Sequence, residues 1–232
     1  MSTSPLSPAD FAPLRLRKDE DRRLRAGHLW IYSNEVDTAA TALGTFTPGA
    51  LAQVHDDRGR FLGYAYVNPH ALICARILGR DPEYLPGKSL LVHRLQVALA
   101  LRERLYAEPF YRLVYGESDG LPGLVLDRYG DVVVGQIGTA GMESMKDEIH
   151  AALQKVVRPT TLIWKNDSGA RELEGLPSYV ETAFGEPSES AQVVENGVRF
   201  EVPLGSGQKT GWFYDQAYNR RALLKYVRGA RV

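Results

Sequence analysis

The spacing of apolar and polar positions changes near residue 80. Before it, short apolar blocks alternate with turn residues: Leu14 to Leu16, Leu29 to Tyr32, Leu51 to Val54, Phe61 to Val67 and Leu72 to Leu78. Blocks of this length, rich in β-branched and aromatic residues, predict strands. Asp56-Asp57-Arg58-Gly59 ends in a glycine free to take positive φ, which predicts a hairpin between the blocks on either side. Asp19 to Gly27 is charged, with its acids first and a glycine stop, and predicts a short helix. Residues 14–79 therefore predict a small, mostly β unit behind a Ser/Pro-rich leader, residues 1–13, expected to be loose.

After residue 80 the period lengthens. Leu91, Leu95, Ala98, Leu101 and Leu105 recur at three and four residues, predicting one apolar stripe on a helix over Leu90 to Tyr106. Met142, Met145, Ile149, Leu153 and Val156 predict a second helix, ended by Pro159. Tyr111 to Tyr115, Gly123 to Asp127, Val132 to Ile137 and Thr161 to Trp164 read as strands, so residues 80–190 predict an α+β domain. Phe184 to Ser190, rich in Gly, Pro, Ser and Glu, reads as a linker. In residues 191–232, Asn196-Gly197 between β-formers predicts a hairpin. Ala217 to Tyr226 then reads as a helix, Gly229 as its stop, and Ala230 to Val232 as the start of a new strand.

Composition adds the class. Hydrophobic residues are 44% and charged residues 24% of the 232, an ordinary globular balance. The 28 basic and 28 acidic residues cancel, but their placement is uneven. Arg15 to Arg25 holds six basic residues against three acids, Gly205 to Val232 six against one, and Arg171 to Glu201 seven Glu against two Arg. A single cysteine, Cys74, excludes a disulfide framework within one copy and suits a cytoplasmic protein. The N-terminus lacks a signal-peptide pattern, and no stretch approaches the roughly 20 apolar residues that span a bilayer.

Four groups carry candidate chemistry. Gly205-Ser206-Gly207-Gln208-Lys209-Thr210-Gly211 has Gln208 where a phosphate loop needs glycine, so that motif is excluded. With Trp212 to Gln216 behind it, the stretch offers donors, flat aromatic surface and an acceptor, the mix that suits a cofactor with a purine, a ribose and a charged tail. A solvent-exposed turn leading into core aromatics fits the same residues. Glu117 and Asp119, in a dense turn cluster, suit either a carboxylate pair or side chains that cap their own turn. The five His are too scattered for a helical zinc pair, so no metal is expected. His28-Leu29-Trp30-Ile31-Tyr32, behind Arg22, Arg23 and Arg25, joins aromatics to cations, the chemistry that holds phosphates and stacks unpaired bases. The same aromatics also fit a core.

Three long motifs, in order, resemble the RlmI-like class I methyltransferases, which use S-adenosyl-L-methionine (SAM) to methylate C5 of a cytosine in large-subunit ribosomal RNA. The run from Gly27 to Val36 resembles the signature of the family's N-terminal PUA domain, an RNA-binding β-barrel. Tyr115 to Gly130 resembles that of its central domain, and Gly207 to Gln216 the opening of its methyltransferase domain. The resemblance implies a PUA-like barrel, an α+β central domain, and a hairpin and helix leading into a Rossmann-like domain. It implies ribosomal RNA as partner, with Arg22, Arg23, Arg25, His28 and Trp30 as RNA contacts. It implies SAM as cofactor, with Gln208, Lys209, Tyr214, Asp215 and Gln216 beside it, and homodimers by analogy. The family's catalytic cysteine lies downstream of the matched region and Cys74 does not correspond to it, so no catalytic residue is assigned. The expectation is an RNA-binding front part whose SAM site is incomplete within these 232 residues. A stand-alone RNA-binding protein without catalysis is the alternative. Ala217 stands where the family often has arginine.

Overall fold

The computed structural model describes residues 7–204, 210–227 and 229. The predicted new strand at 230–232, and Gln208 and Lys209, lie outside the described residues.

The first unit is a five-stranded mixed sheet built from β1 (Ala12–Arg15), β2 (Trp30–Tyr32), β3 (Ala50–His55), β4 (Phe61–Val67) and β5 (Ile73–Gly79), in the order β1-β3-β4-β5-β2. Its two edges meet. Leu16, just past β1, bridges Val36, just past β2, and the Arg17 and Asp37 N–H groups donate to Glu35 and Arg15 at 2.9 Å. This closes the sheet into a barrel and removes its free edges. Leu14, Leu16, Ile31, Val36, Val54, Val67, Cys74 and Ile77 fill the interior, with Leu24 from the one-turn helix α1 (Arg22–Arg25).

The leader is not loose throughout. From Ser7 it is described, with a short turn at Pro8–Asp10, and Phe11 is buried edge-on to Tyr64 at 5.6 Å. Burying that ring draws Ala12 and Pro13 into β1.

Asp56 locks the β3–β4 turn. Its carboxylate accepts from the backbone N–H of Arg58 (2.9 Å) and Arg60 (2.8 Å), and from the guanidinium groups of Arg60 (2.6 Å) and Arg25 (2.9 Å). Burial alone would push this carboxyl up, but the Arg60 and Arg58 hydrogen bonds and the Arg60 charge hold it down, at about 2 instead of 3.8. A depressed carboxylate stabilises the fold above its unfolded value, and that contribution fades as pH falls from 3.8 through about 2. Acid titration followed by circular dichroism should show stability lost in this window, and Asp56→Asn should flatten the curve there.

The second unit is a sheet in the order β10-β9-β8-β7-β6, from β6 (Phe110–Tyr115), β7 (Leu124–Tyr129), β8 (Val132–Ile137), β9 (Thr161–Asn166) and β10 (Tyr179–Phe184). β8 and β9 are parallel, joined through α3 (Ala140–Ser144) and α4 (Lys146–Val156). Alternation sorts the two faces. Leu124, Leu126, Val133, Leu162 and Trp164 face α2 (Lys88–Leu105) and α4. Tyr129, Val134 and Ile163 face the hairpin β11 (Ser190–Glu195) and β12 (Val198–Pro203). That hairpin turns at Asn196 and Gly197, both with positive φ (52° and 79°), as its two-residue turn requires. α5 (Ala170–Leu173) and α6 (Ala217–Leu223) complete the α-helices among the described residues.

Two readings change. The α2 stripe stays buried at Leu91, Leu95 and Ala98, but Leu101 and Leu105 are half exposed because each lines a surface cavity and not the core. The second predicted helix is two, broken at Met145, although both methionines are core residues. Tyr179 to Phe184 and Ala170 to Leu173 carry no clear period. The first is an edge strand exposed at Val180 to Thr182, and the second is a single turn.

The two units share a seam. Tyr66 of the barrel is fully buried in the second core, its hydroxyl donating to Pro122 O at 2.8 Å. Asn68 and Arg76 donate to the Glu174 carboxylate at 2.7 and 2.9 Å, and Ser144 Oγ donates to Gly49 O at 3.2 Å.

Candidate functional site

The seam opens on one side into a cavity of about 700 Å³. Its barrel wall is Gly27 to Trp30 and Ile77 to Arg80; its other wall is α2, at Arg94, Val97, Ala98 and Leu101, with the turn at 117–120. The Trp30 indole N–H donates to Glu117 at 2.6 Å across this gap. Trp30 N–H donates to His28 Nδ1 at 3.2 Å, and the two rings stand edge to face 5.7 Å apart. Arg80 donates to His28 O at 2.8 Å.

The acids of the turn have structural partners. Asp119 takes both branches of Arg102 (2.5 and 2.8 Å) and the Tyr115 backbone N–H (2.7 Å), so it caps its turn. Glu117 is held by Trp30. Gly120 adopts φ 69°, and a Cβ there would lie 2.7 Å from the Arg94 guanidinium, which uses that space.

The predicted RNA contacts separate. His28 and Trp30 reach the cavity. Arg22, Arg23 and Arg25 do not line it, and each has a carboxylate: Asp19 at 3.2 Å, Glu35 at 2.8 Å, and Asp21 and Asp56 at 2.5 and 2.9 Å. Arg23 also lies over the Tyr32 ring at 5.0 Å. The exposed Arg22–Asp19 pair is worth about 0–1 kcal/mol and leaves the Arg22 charge exchangeable, whereas Glu35 and Asp56 are buried. Neither Arg80 nor Arg94 is among the predicted RNA contacts, since a single arginine at a strand end or on a helix carries no motif.

The second candidate segment begins, within the described residues, at Thr210. Thr210 is buried and its hydroxyl donates to Asp127, which also takes both branches of Arg112 at 2.8 and 2.9 Å. Tyr129 OH donates to Thr210 O and accepts from Trp212 N–H, both at 3.0 Å. The Trp212 indole donates to Glu195 at 3.0 Å; Arg220 lies over its ring at 4.7 Å and pairs with Glu195 at 2.5 and 2.7 Å. Tyr214 OH donates to Arg128 O at 2.8 Å, and burial pushes its phenol far above the ordinary range. The aromatics thus fasten the segment onto the sheet. Tyr214 has spent its hydroxyl on packing, whereas Asp215 and Gln216 remain exposed. Arg220, another residue the sequence reading missed, is fixed by Glu195 a full hairpin away.

Cys74 is buried in the barrel, and desolvation pushes its thiol up to about 12. A group so placed has almost no thiolate at neutral pH. Iodoacetamide at pH 8 should leave the native protein unmodified and alkylate Cys74 only after denaturation, as intact-mass measurement would record.

Comparison with known proteins places these features. Residues 14–80 match the family model of a PUA-like domain. Ribosomal RNA large subunit methyltransferase I of Photobacterium profundum is 34% identical over 221 residues, 94% of this chain and 55% of the relative. The protein of the same name from Alteromonas mediterranea is 33% identical over 225 residues, 95% of this chain and 56% of the relative. The chain is thus similar, over nearly its whole length, to ribosomal RNA large subunit methyltransferase I. It spans about half the length of the curated relatives it matches. The fold is shared with a candidate SAM-dependent methyltransferase from Streptococcus mutans, with TM-score 0.76 and 21% identity over 93% of this chain and 54% of that one. A second structure, of a candidate methyltransferase complexed with S-adenosylhomocysteine, gives the same values. Among the described residues no helix is long and apolar enough to cross a membrane.

Proposed function

We propose that residues 1–232 are the RNA-holding part of a SAM-dependent methyltransferase acting on a cytosine C5 in large-subunit ribosomal RNA. The observation that carries this is the similarity to ribosomal RNA large subunit methyltransferase I over 94% of the chain. The barrel presents Arg22, Arg23 and Arg25 outside and His28 and Trp30 at the cavity, a surface of cations and aromatics suited to RNA. The segment around Gln208 and Lys209, with Tyr214, Asp215 and Gln216, contributes one wall of a SAM pocket. Among the described members, Asp215 and Gln216 have exposed polar groups that suit ribose hydroxyls or an amine, while Tyr214 shapes the wall. When bound, SAM supplies an electrophilic methyl group on a sulfonium.

The residues themselves set a limit. C5 methylation through a covalent adduct needs a thiolate. Cys74 is the one cysteine of the sequence, and it is enclosed and protonated. Residues 1–232 alone are therefore expected to bind RNA without turning over. A methyl-transfer assay with radiolabelled SAM and ribosomal RNA checks this, and robust turnover by these residues would refute it.

A second reading, an RNA-binding protein without chemistry, gains from one observation. Thr210, Trp212 and Tyr214 hold the hairpin to the central sheet, so the motif has a use with no cofactor present. Calorimetry with SAM separates the two: heat of binding that Asp215→Ala weakens favours the methyltransferase, and no heat from any form containing these residues favours the binder.

A further inference from the structure

The two arginines of the cavity differ from their neighbours. Arg22, Arg23, Arg25 and Arg102 each have a carboxylate. Arg94 has no hydrogen-bond or ion-pair partner among the described residues, and its Nε is shut off from solvent. Arg80 donates only to a backbone carbonyl, that of His28, and burial lowers its affinity for its proton. The shielded, unpartnered Arg94 Nε is costly, and an anion in the same space, reached also by the more exposed Arg80, offsets that cost. Neither cavity acid bonds to Arg80 or Arg94: Asp119 pairs with Arg102, and Glu117 accepts from the Trp30 indole.

The remaining lining is apolar or aromatic. Val97 and Leu101 of α2 are 55% and 48% exposed, and they line the cavity together with His28 and Trp30. At about 700 Å³ the space falls within the range of small-ligand pockets, roughly 300–1,000 Å³. Cations beside exposed apolar and aromatic surface match a nucleotide, with its charge at one end and its flat base at the other.

We propose that the cavity between the barrel and α2 takes one unpaired nucleotide of the RNA, its phosphate held by Arg80 and Arg94 and its base lying against Trp30, His28, Val97 and Leu101. This rests on the RNA-binding reading above and adds where the strand is held and in what form. A paired base cannot enter, because its edge and both faces are already occupied in the duplex. The cavity thus recognises a strand that is open.

The test is fluorescence anisotropy with a labelled short single-stranded RNA and the duplex of the same sequence, at several salt concentrations. Wild type, Arg80→Gln, Arg94→Gln and the double variant are compared. Neither arginine belongs to an ion pair, so melting temperatures should stay near wild type and confirm folding. The double variant should raise Kd for the single strand roughly tenfold or more. The slope of its log Kd against log salt should flatten by about 0.7 for each phosphate it no longer holds. Wild type should prefer the single strand, and its tryptophan fluorescence should change on binding. A double variant with wild-type Kd and salt slope, or a duplex bound as tightly as the single strand, overturns this inference and leaves RNA binding intact. Failure of the wild type to bind either RNA overturns both.

Discussion

Asp127→Ala is expected to lower the unfolding free energy by about 3–5 kcal/mol, as removal of one partner from a buried ion pair does. Asp127 is fully buried on the hairpin face of the central sheet, where it answers both branches of Arg112 and the Thr210 hydroxyl. Without it the half-buried Arg112 guanidinium loses its ion-pair partner, and Thr210 loses its anchor. For a chain of this size the melting temperature should fall on the order of 10 °C. The loss should be local as well as global. The segment from Thr210 onward is fastened by Asp127 and Tyr129, so limited proteolysis should cut near it sooner in the variant. Replacing both Arg112 and Asp127 by leucine should recover part of the stability, because it removes the unmatched charge. Equal stability of Asp127→Ala and wild type in urea unfolding would show that the pair holds nothing together.

Gly141→Ala should be the more damaging change for function. A Cβ at Gly141 would lie 2.0–2.4 Å from the Tyr66 ring, well inside contact distance. The ring cannot retreat, being fully buried with its hydroxyl held by Pro122. Alanine is otherwise favoured over glycine in a helix such as α3, by about 1 kcal/mol, so any net loss reports the clash. Overpacking of this kind costs about 1–3 kcal/mol. Since Tyr66 joins the barrel to the second unit, relief by separation would shift the walls of the cavity, and RNA affinity should fall with stability. Tyr66→Leu in the same chain should restore much of the RNA affinity by making room. Wild-type melting and wild-type RNA binding in Gly141→Ala would mean the seam is not the rigid joint described.

Local features of this fold were legible in the sequence because local physics sets them. Asn196-Gly197 needs two positive φ values and has them. Leu91, Leu95 and Ala98 mark the face of α2 that meets the core. Periodicity cannot say where a core ends, and so Leu101 and Leu105 were included with it although they border cavities. Tyr179 to Phe184 was missed because an edge strand has little burial to impose a pattern. The site was less legible than the fold. His28 and Trp30 were readable as aromatics behind a basic stretch, but their meeting with Glu117 depends on a seam joining residues 87 positions apart. Arg80 and Arg94 are significant only for lacking acids, and only packing reveals that. The run from Thr210 to Tyr214 suggested cofactor chemistry by composition, whereas most of its polar groups serve to fix a hairpin.

Ultraviolet cross-linking of residues 1–232 to single-stranded segments of large-subunit ribosomal RNA, with the attached peptides identified by mass spectrometry, tests the account most directly. Adducts should fall on peptides containing His28 and Trp30 and on the α2 peptide around Arg94, and added salt should suppress them. Adducts confined to the β11–β12 hairpin or β10, with none on those peptides, would contradict it.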